Sequence, residues 1–353
     1  MYRPLLLSFL ALPLGGGLAT DYTVGRTLRV ETATTFSLET TEFVFEIDGE
    51  PQDDRGGGGR SSEESRRVVT LDTVLEAADG EPSRVKRVFE TLESSGAFRF
   101  GDREMEIEHE RPLEGVTLEI TEEGAEVVDG PEPDDDAVLE GHALALALDA
   151  LLPDEEVEVG DTWSLDGERV MRALSLDLES ALFVRPAPED GMRGEGGERR
   201  RGPRGGPRGG GSPAQMFSEG EWSATATLEA LDAENEAGKC ARIALELKCS
   251  GELPEPEFGG GRGRRGRSLA ARTPRGPVRE NSFDVELEGH LDFLLEERFP
   301  VALELRGTIG TTRTMERSTE RGDFFMYTAQ EGDFEHVVNV TRVADDENSE
   351  DSE

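Results

Sequence analysis

Phe283-Asp284-Val285-Glu286-Leu287-Glu288-Gly289-His290-Leu291-Asp292-Phe293-Leu294-Leu295 is the stretch that decides the fold. Phe283, Val285, Leu287, Leu291, Phe293 and Leu295 share one parity, while Asp284, Glu286, Glu288, His290 and Asp292 share the other. Side chains alternate across a strand with period two, so one face enters a core and the other meets water. That alternation marks an antiparallel sheet covered on one side. Gly289 interrupts the apolar set and predicts a bulge or a sharp bend. Arg298-Phe299-Pro300 turns the chain back into Val301, Leu303 and Leu305.

Similar patterns lie on both sides. Downstream, 324–328 and 334–343 complete the sheet, and the acidic tail 344–353 is expected to stay disordered. Upstream, 222–231 and 239–251 flank Asn235-Glu236-Ala237-Gly238, a hairpin signal. In the N-terminal half, 28–30, 36–38 and 43–47 are predicted as short strands, the last ending at Asp48-Gly49. The polar, Gly-rich segment 51–67 is predicted as a flexible loop. Val69, Leu71, Thr73 and Leu75 then alternate up to the turn Asp79-Gly80, and 85–92 leads away from it. Two further strands are expected at 105–107 and 116–120.

A helical segment separates the two β-rich halves. Asp134, Asp135 and Asp136 suit the open N–H groups and positive dipole end of a helix start. Val138, Leu139, Leu144, Leu148, Leu151 and Leu152 follow at helical spacing, so a buried helix of about four turns is predicted over 137–152, stopped by Pro153. Met171, Leu174, Leu178 and Leu182 predict a second helix over 167–183, with Asp166 as cap and Pro186 as stop. The expected fold class is α+β: mainly antiparallel, curved sheet with one or two helices packed on its apolar face. The expected segments are a signal peptide 1–19, an N-terminal β-rich half 20–133, a central helical segment 134–186, a disordered Gly/Arg loop 187–216, and a C-terminal antiparallel half 217–343. The last contains a second Gly/Arg loop, 255–279.

The net charge of −39 over 353 residues argues against nucleic acid or an anionic membrane as partner, because phosphate binding needs a basic surface. The Gly/Arg runs 191–212 and 259–279 are basic but contain no aromatic residue for base stacking, and a loop resting on the chain's own acidic surface accounts for them. Arg3, the apolar run 5–14 and the small residues ending at Ala19 have the form of a secretory signal peptide, with cleavage near Ala19. No later apolar run approaches the roughly 20 residues a spanning helix needs. The expected location is therefore secreted or periplasmic.

Cys240 and Cys249 fall in one strand-like run, about 30 Å apart if extended and on opposite faces, too far for a disulfide. Cys249 shares parity with Ile243, Leu245 and Leu247 and is expected in the core, and Cys240 on the surface.

Chemistry finds little support. Gly261, Gly263 and Gly266 spell GxGxxG, but no strand precedes them and no helix starts there. His109, His142, His290 and His336 form no metal-ligand spacing. His109, among Glu106, Glu108 and Glu110, is expected on a solvated strand. There is no GxSxG, and neither cysteine has a histidine nearby in sequence. No catalytic, cofactor-binding or metal residue is therefore assigned, and no cofactor is expected.

Pro153, Val157 and the turn Val159-Gly160-Asp161-Thr162-Trp163 form the most specific local motif. It resembles a pattern in uncharacterised secreted bacterial β-rich proteins, many of them lipoproteins, in which a helix ends at proline and the chain enters a second β-rich half. The resemblance extends loosely to the hairpin at Asp79-Gly80-Glu81-Pro82 and to the strand pair 283–305. It implies a β-rich envelope protein and no activity; no lipid-attachment cysteine follows the apolar run, which departs from the pattern. Trp163 is expected as a core plug beside the turn. Two functions follow. The first is a non-enzymatic secreted or envelope protein acting as a scaffold or protein-binding surface. The alternative is a carrier that holds an apolar ligand between the curved sheet and its helix. The corresponding partners are an envelope protein or an apolar small molecule.

Overall fold

In the computed structural model, the described residues are 17–52, 59–101, 103–184, 213–253, 278–319 and 322–344. Thirteen strands among them join in one antiparallel sheet. They are β1 (Thr27–Ile47), β2 (Glu50–Pro51), β3 (Arg60–Ala78), β4 (Glu81–Phe100), β5 (Arg103–Glu106), β6 (Thr117–Thr121), β7 (Gly124–Asp129), β8 (Thr162–Leu165), β9 (Glu221–Asn235), β10 (Gly238–Glu252), β11 (Val278–Leu294), β12 (Phe299–Thr319) and β13 (Gly322–Arg342). The order is β7-β6-β4-β3-β1-β13-β12-β11-β10-β9-β8, with β2 beside β1 and β5 beside β4. The sheet is large and open. Strands from the two ends of the chain, β1 and β13, are neighbours at its centre.

The strands are longer than the apolar runs predict. The three short strands expected within 28–47 are one, because Thr32, Thr34 and Thr35 between the apolar runs are β-branched and pair across to Val338, His336 and Glu335. Of the expected loop 51–67, residues 53–58 lie outside the described residues and 60–67 are strand: from Arg60 onward the chain is hydrogen-bonded to β4, and from Ser61 to β1 as well, so paired neighbours impose what its polar composition does not suggest. The turn at Asp79-Gly80 stands as expected, with both residues at positive φ (55° and 88°). Gly289 is not the bulge. The register of β11 against β12 shifts between Asp292 and Phe293, whereas a Cβ at Gly289 would stand 1.8 Å from the Glu304 carbonyl oxygen. Gly307 and Gly332 meet neighbouring carbonyls equally closely, at 1.8 Å each. Their role is close backbone approach.

The helical share is smaller than predicted. In place of a four-turn helix, 137–152 holds two 3-10 turns, Asp136–Leu139 and Ala147–Leu151. Gly141 at φ +79° breaks the run. Tertiary partners also claim the backbone groups a helix would use: Leu146 N–H donates to the Tyr22 hydroxyl, and the Ala143 and Ala150 carbonyls accept from Arg87 and Arg169. The second helix divides at Ser175, which is left-handed (φ 51°), into α1 (Gly167–Leu174) and α2 (Leu176–Leu182). Asp135 and Asp166 cap as expected, accepting from Ala137 and Arg169 N–H. A further helix, α3 (Pro213–Glu219), starts inside the expected loop 187–216. The rest of that loop, most of 255–279, residues 1–16 of the signal segment, Pro186 and the tail from 345 lie outside the described residues.

Two apolar clusters form. The larger joins Leu148, Leu151, Val170 and Leu174 from the helical layer to Leu28, Val74, Leu303 and Val338 from the sheet. The smaller joins Val138, Leu182 and Phe183 to Val68, Phe89, Leu118 and Ile120. Cys240 is fully buried rather than exposed: it keeps the parity opposite to Ile243, but this end of β10 is covered on both faces, with Ala241 beside it and its β11 partner Leu294 buried as well. Both thiols are free, and burial pushes Cys249 up to about 12.

Candidate functional site

A cavity of about 560 Å³ lies between the sheet and the helical layer. Its lining includes members of both clusters, Val68, Phe89 and Leu182 from the smaller and Leu146, Leu148 and Val338 from the larger. It fills the gap where the two cores do not merge.

Four adjacent strands make its floor. Phe89, Thr70, Val30 and Val340 form one rung across β4, β3, β1 and β13, and Val68, Thr32 and Val338 form the next across β3, β1 and β13. These inward positions carry mostly branched, apolar side chains. The roof is built largely of small residues: Ala137, Ala143, Ala145 and Ala147 before Pro153, and Ala173 and Ala181 from α1 and α2. Alanine lets a helical segment sit over a sheet without filling the space between. Exposed Glu140, Gly141, Glu168 and Arg172 also line the cavity and mark its mouth.

Polar groups stand at each end of the floor. At one, Arg87 on β4 forms a bidentate pair with Asp72 on β3 at 2.8 and 2.6 Å, both residues buried. His142 closes this end: its Nε2–H donates to the Val138 carbonyl at 3.1 Å, which leaves Nδ1 as acceptor facing Arg87 Nη1 at 3.4 Å. Burial, with the nearby Arg87 charge, lowers His142 to about 4, so the ring is neutral.

At the other end, Thr34 on β1 joins α2 to β13. Its hydroxyl donates to Glu179 Oε1 at 2.6 Å and lies 2.9 Å from His336 Nδ1. A hydroxyl has one proton, so with that proton on Glu179 the His336 Nδ1–H must donate to Thr34. His336 is then the Nδ1–H tautomer with its Nε2 lone pair free, and burial holds the ring neutral by lowering it to about 4. Neither Nε2 of His336 nor Oε2 of Glu179 has a hydrogen-bond partner. Arg66 Nη1 is 3.9 Å from that oxygen but is engaged closely by Glu64 at 2.6 Å. Burial raises Glu179 to about 7, against the lowering effect of Thr34 and Arg66.

The residues singled out from sequence are dispersed. His109 is not solvated: its side chain is 1% exposed, 3.3 Å from Glu64 and edge-on to Phe183. The expected strand ends early, and Glu110 instead bridges to Val184, which carries His109 inward. Trp163 is half-buried against the larger core, its indole N–H donating to the Leu151 carbonyl at 3.1 Å. Thr34 and Glu179 were missed. His336 carried a usable signal, since it alternates in phase with Phe334, Val338 and Val340 on the core parity of its strand.

No family model matches the chain, and no curated protein does. Among solved structures, it is similar to the crystal structure of Pseudomonas aeruginosa OccK5 (OpdH) at 8% identity and TM-score 0.16, over 91% of this chain and 99% of that one. It is also similar to MucB in complex with MucA(peri), at 8% identity and TM-score 0.09, over 85% of this chain and 88% of that one. At these TM-scores neither likeness carries an argument. Among the described residues, no helix is long and apolar enough to cross a membrane, and no group of His, Cys, Asp and Glu is placed to hold a metal.

Proposed function

We propose that this is an exported binding protein that carries an apolar molecule in the cavity between β4-β3-β1-β13 and the Ala-rich helical layer. The carrying observation is the cavity itself: about 560 Å³ over a mainly apolar floor, within the range of small-molecule sites. A scaffold needs only a core that closes on itself, and here two cores leave a gap between them. Close backbone approaches at Gly289, Gly307 and Gly332 support a sheet curved around the helical layer. The carrier needs no catalytic residue, and none is assigned.

Export carries one consequence. Leu18 is buried in the larger core, and the Gly17 carbonyl accepts from Arg298 at 3.3 Å. Cleavage after Ala19 would remove both contacts from the mature chain.

Thr32→Phe tests the carrier by filling the floor with a ring while leaving the backbone ladder intact. Native mass spectrometry and displacement of a fluorescent aliphatic probe should show at least about tenfold weaker binding, the cost of roughly 1.4 kcal/mol, with the melting temperature unchanged or raised. Undiminished probe binding by a folded Thr32→Phe protein would sink the proposal.

A further inference from the structure

Resting on that carrier function, we infer that the ligand is a single-chain amphiphile whose head group donates hydrogen bonds, an alcohol or an amine, and that His336 Nε2 and Glu179 Oε2 are the acceptors open to it.

The argument starts from incomplete bonding. Buried polar groups are nearly always satisfied, and an orphan costs free energy unless water or a ligand supplies the partner. His336 is fully buried and Glu179 is 3% exposed, both line the cavity, and each has one atom without a hydrogen-bond partner. The tautomer fixed through Thr34 makes the His336 atom an acceptor. Glu179 Oε2 is an acceptor too when the carboxyl is ionised, the form that the Thr34 hydrogen bond and the nearby Arg66 favour. An amine head has the protons to serve both acceptors, and an alcohol, with one proton, serves one of them.

Other heads fit worse. A carboxylate or sulfonate would meet a neutral imidazole lone pair and a carboxyl group, and the arginines are already paired: Arg66 with Glu64 at 2.6 Å, Arg87 with Asp72 at 2.6 Å and Arg172, at the mouth, with Glu168 at 3.3 Å. An ether has no proton to give. The chain has room to lie along the floor: Thr34 and Leu28, the β1 residues beside the two polar ends, are six residues apart on one strand, or about 20 Å. Between them the inward rungs are mainly apolar.

The test compares dodecanol, dodecylamine, dodecyl methyl ether and dodecanoic acid as displacers of a fluorescent aliphatic probe from the full mature chain. The alcohol and the amine should bind about tenfold more tightly than the ether and the acid, the worth of one buried hydrogen bond. In His336→Leu the preference of alcohol over ether should collapse while ether binding persists. Glu179→Gln, which keeps the shape and turns an acceptor into a donor, should narrow the gap between alcohol and acid, and it serves should His336→Leu fail to fold. Equal or tighter binding of the acid by the unmodified chain, or an undiminished alcohol preference in both variants, overturns the head-group assignment and leaves the carrier standing. Failure of all four to displace the probe, with the probe itself not retained, overturns the carrier and the assignment together.

Discussion

The two polar ends of the cavity floor are built from similar parts and finished differently. Each has an acidic residue, an arginine within reach and a neutral histidine, with Asp72, Arg87 and His336 on strands and Glu179 and His142 in the helical layer. At the Asp72–Arg87 end the parts answer one another: two short bonds join the ions, and His142 is held between the Val138 carbonyl and Arg87. At the Thr34 end one hydroxyl serves both neighbours, and an oxygen and a nitrogen remain bare. A complete network fixes the fold, and an incomplete one in a cavity wall invites a partner.

Breaking the closed end should produce the largest effect. Arg87→Met leaves the Asp72 carboxylate buried without its counter-ion, a loss of about 3–5 kcal/mol by denaturant unfolding. The double variant Arg87→Met with Asp72→Leu should recover most of it, since replacing both ions removes the desolvation cost. A mild single variant would mean that the Asp72–Arg87 end is wetter than its burial implies.

The next effect is the response of the open end to pH, whose sign follows from Glu179. Its carboxyl titrates near 7 in the folded chain and near 4.5 when unfolded, so the folded state holds the extra proton between those values. The stabilisation is complete below about pH 4.5 and is lost as pH rises to about 7, on the order of 3 kcal/mol at most. His142 and His336, each lowered to about 4, act in the opposite sense: stability rises with pH from about 4 to 6.5. The opposing slopes partly cancel in the unmodified chain. Glu179→Gln should therefore expose a steeper rise in melting temperature between pH 4.5 and 6.5. An identical profile would show that Glu179 is solvated and the open end is not a dry wall.

Thr34→Val comes third. It removes the donor to Glu179 and the acceptor for His336 without changing shape, at about 1–3 kcal/mol. Water entering the cavity can recover part of that loss, so the cost should stay below that of Arg87→Met. A cost equal to it would make Thr34 a structural keystone and weaken the contrast.

Much of the sheet was legible and little of the site was. Alternation at Phe283 to Phe293 and the turn at Asp79-Gly80 announce antiparallel strands, because periodicity and turn chemistry are local properties. The strand at Ser61 to Arg67 is polar on both faces and is held by its neighbours, so nothing local reveals it. The Ala/Leu run at 137–152 has helical spacing, but Tyr22 and Arg87, distant in sequence, take the hydrogen bonds that would have made it a helix. The open end fails for the same reason on a longer scale. Thr34 and His336 are paired across 302 positions of chain, and only the β1–β13 register brings them together. A single sequence gives no measure of that register.

The smallest effect is the one that separates the two ends most cleanly. His336→Leu gives up one hydrogen bond, from Nδ1–H to Thr34, worth about 1 kcal/mol, and Nε2 has no partner to lose. Leucine replaces a ring that paid to be buried neutral and adds an apolar side chain one inward position along β13 from Val338. These terms oppose, so stability near pH 7 should lie within about 1 kcal/mol of the unmodified chain. Arg87→Met and His336→Leu each remove a buried polar side chain from the same floor, and they should differ by several-fold in cost. If chemical denaturation gives equal losses, His336 is as fully bonded as Arg87, and the open end is no more available to a ligand than the closed one.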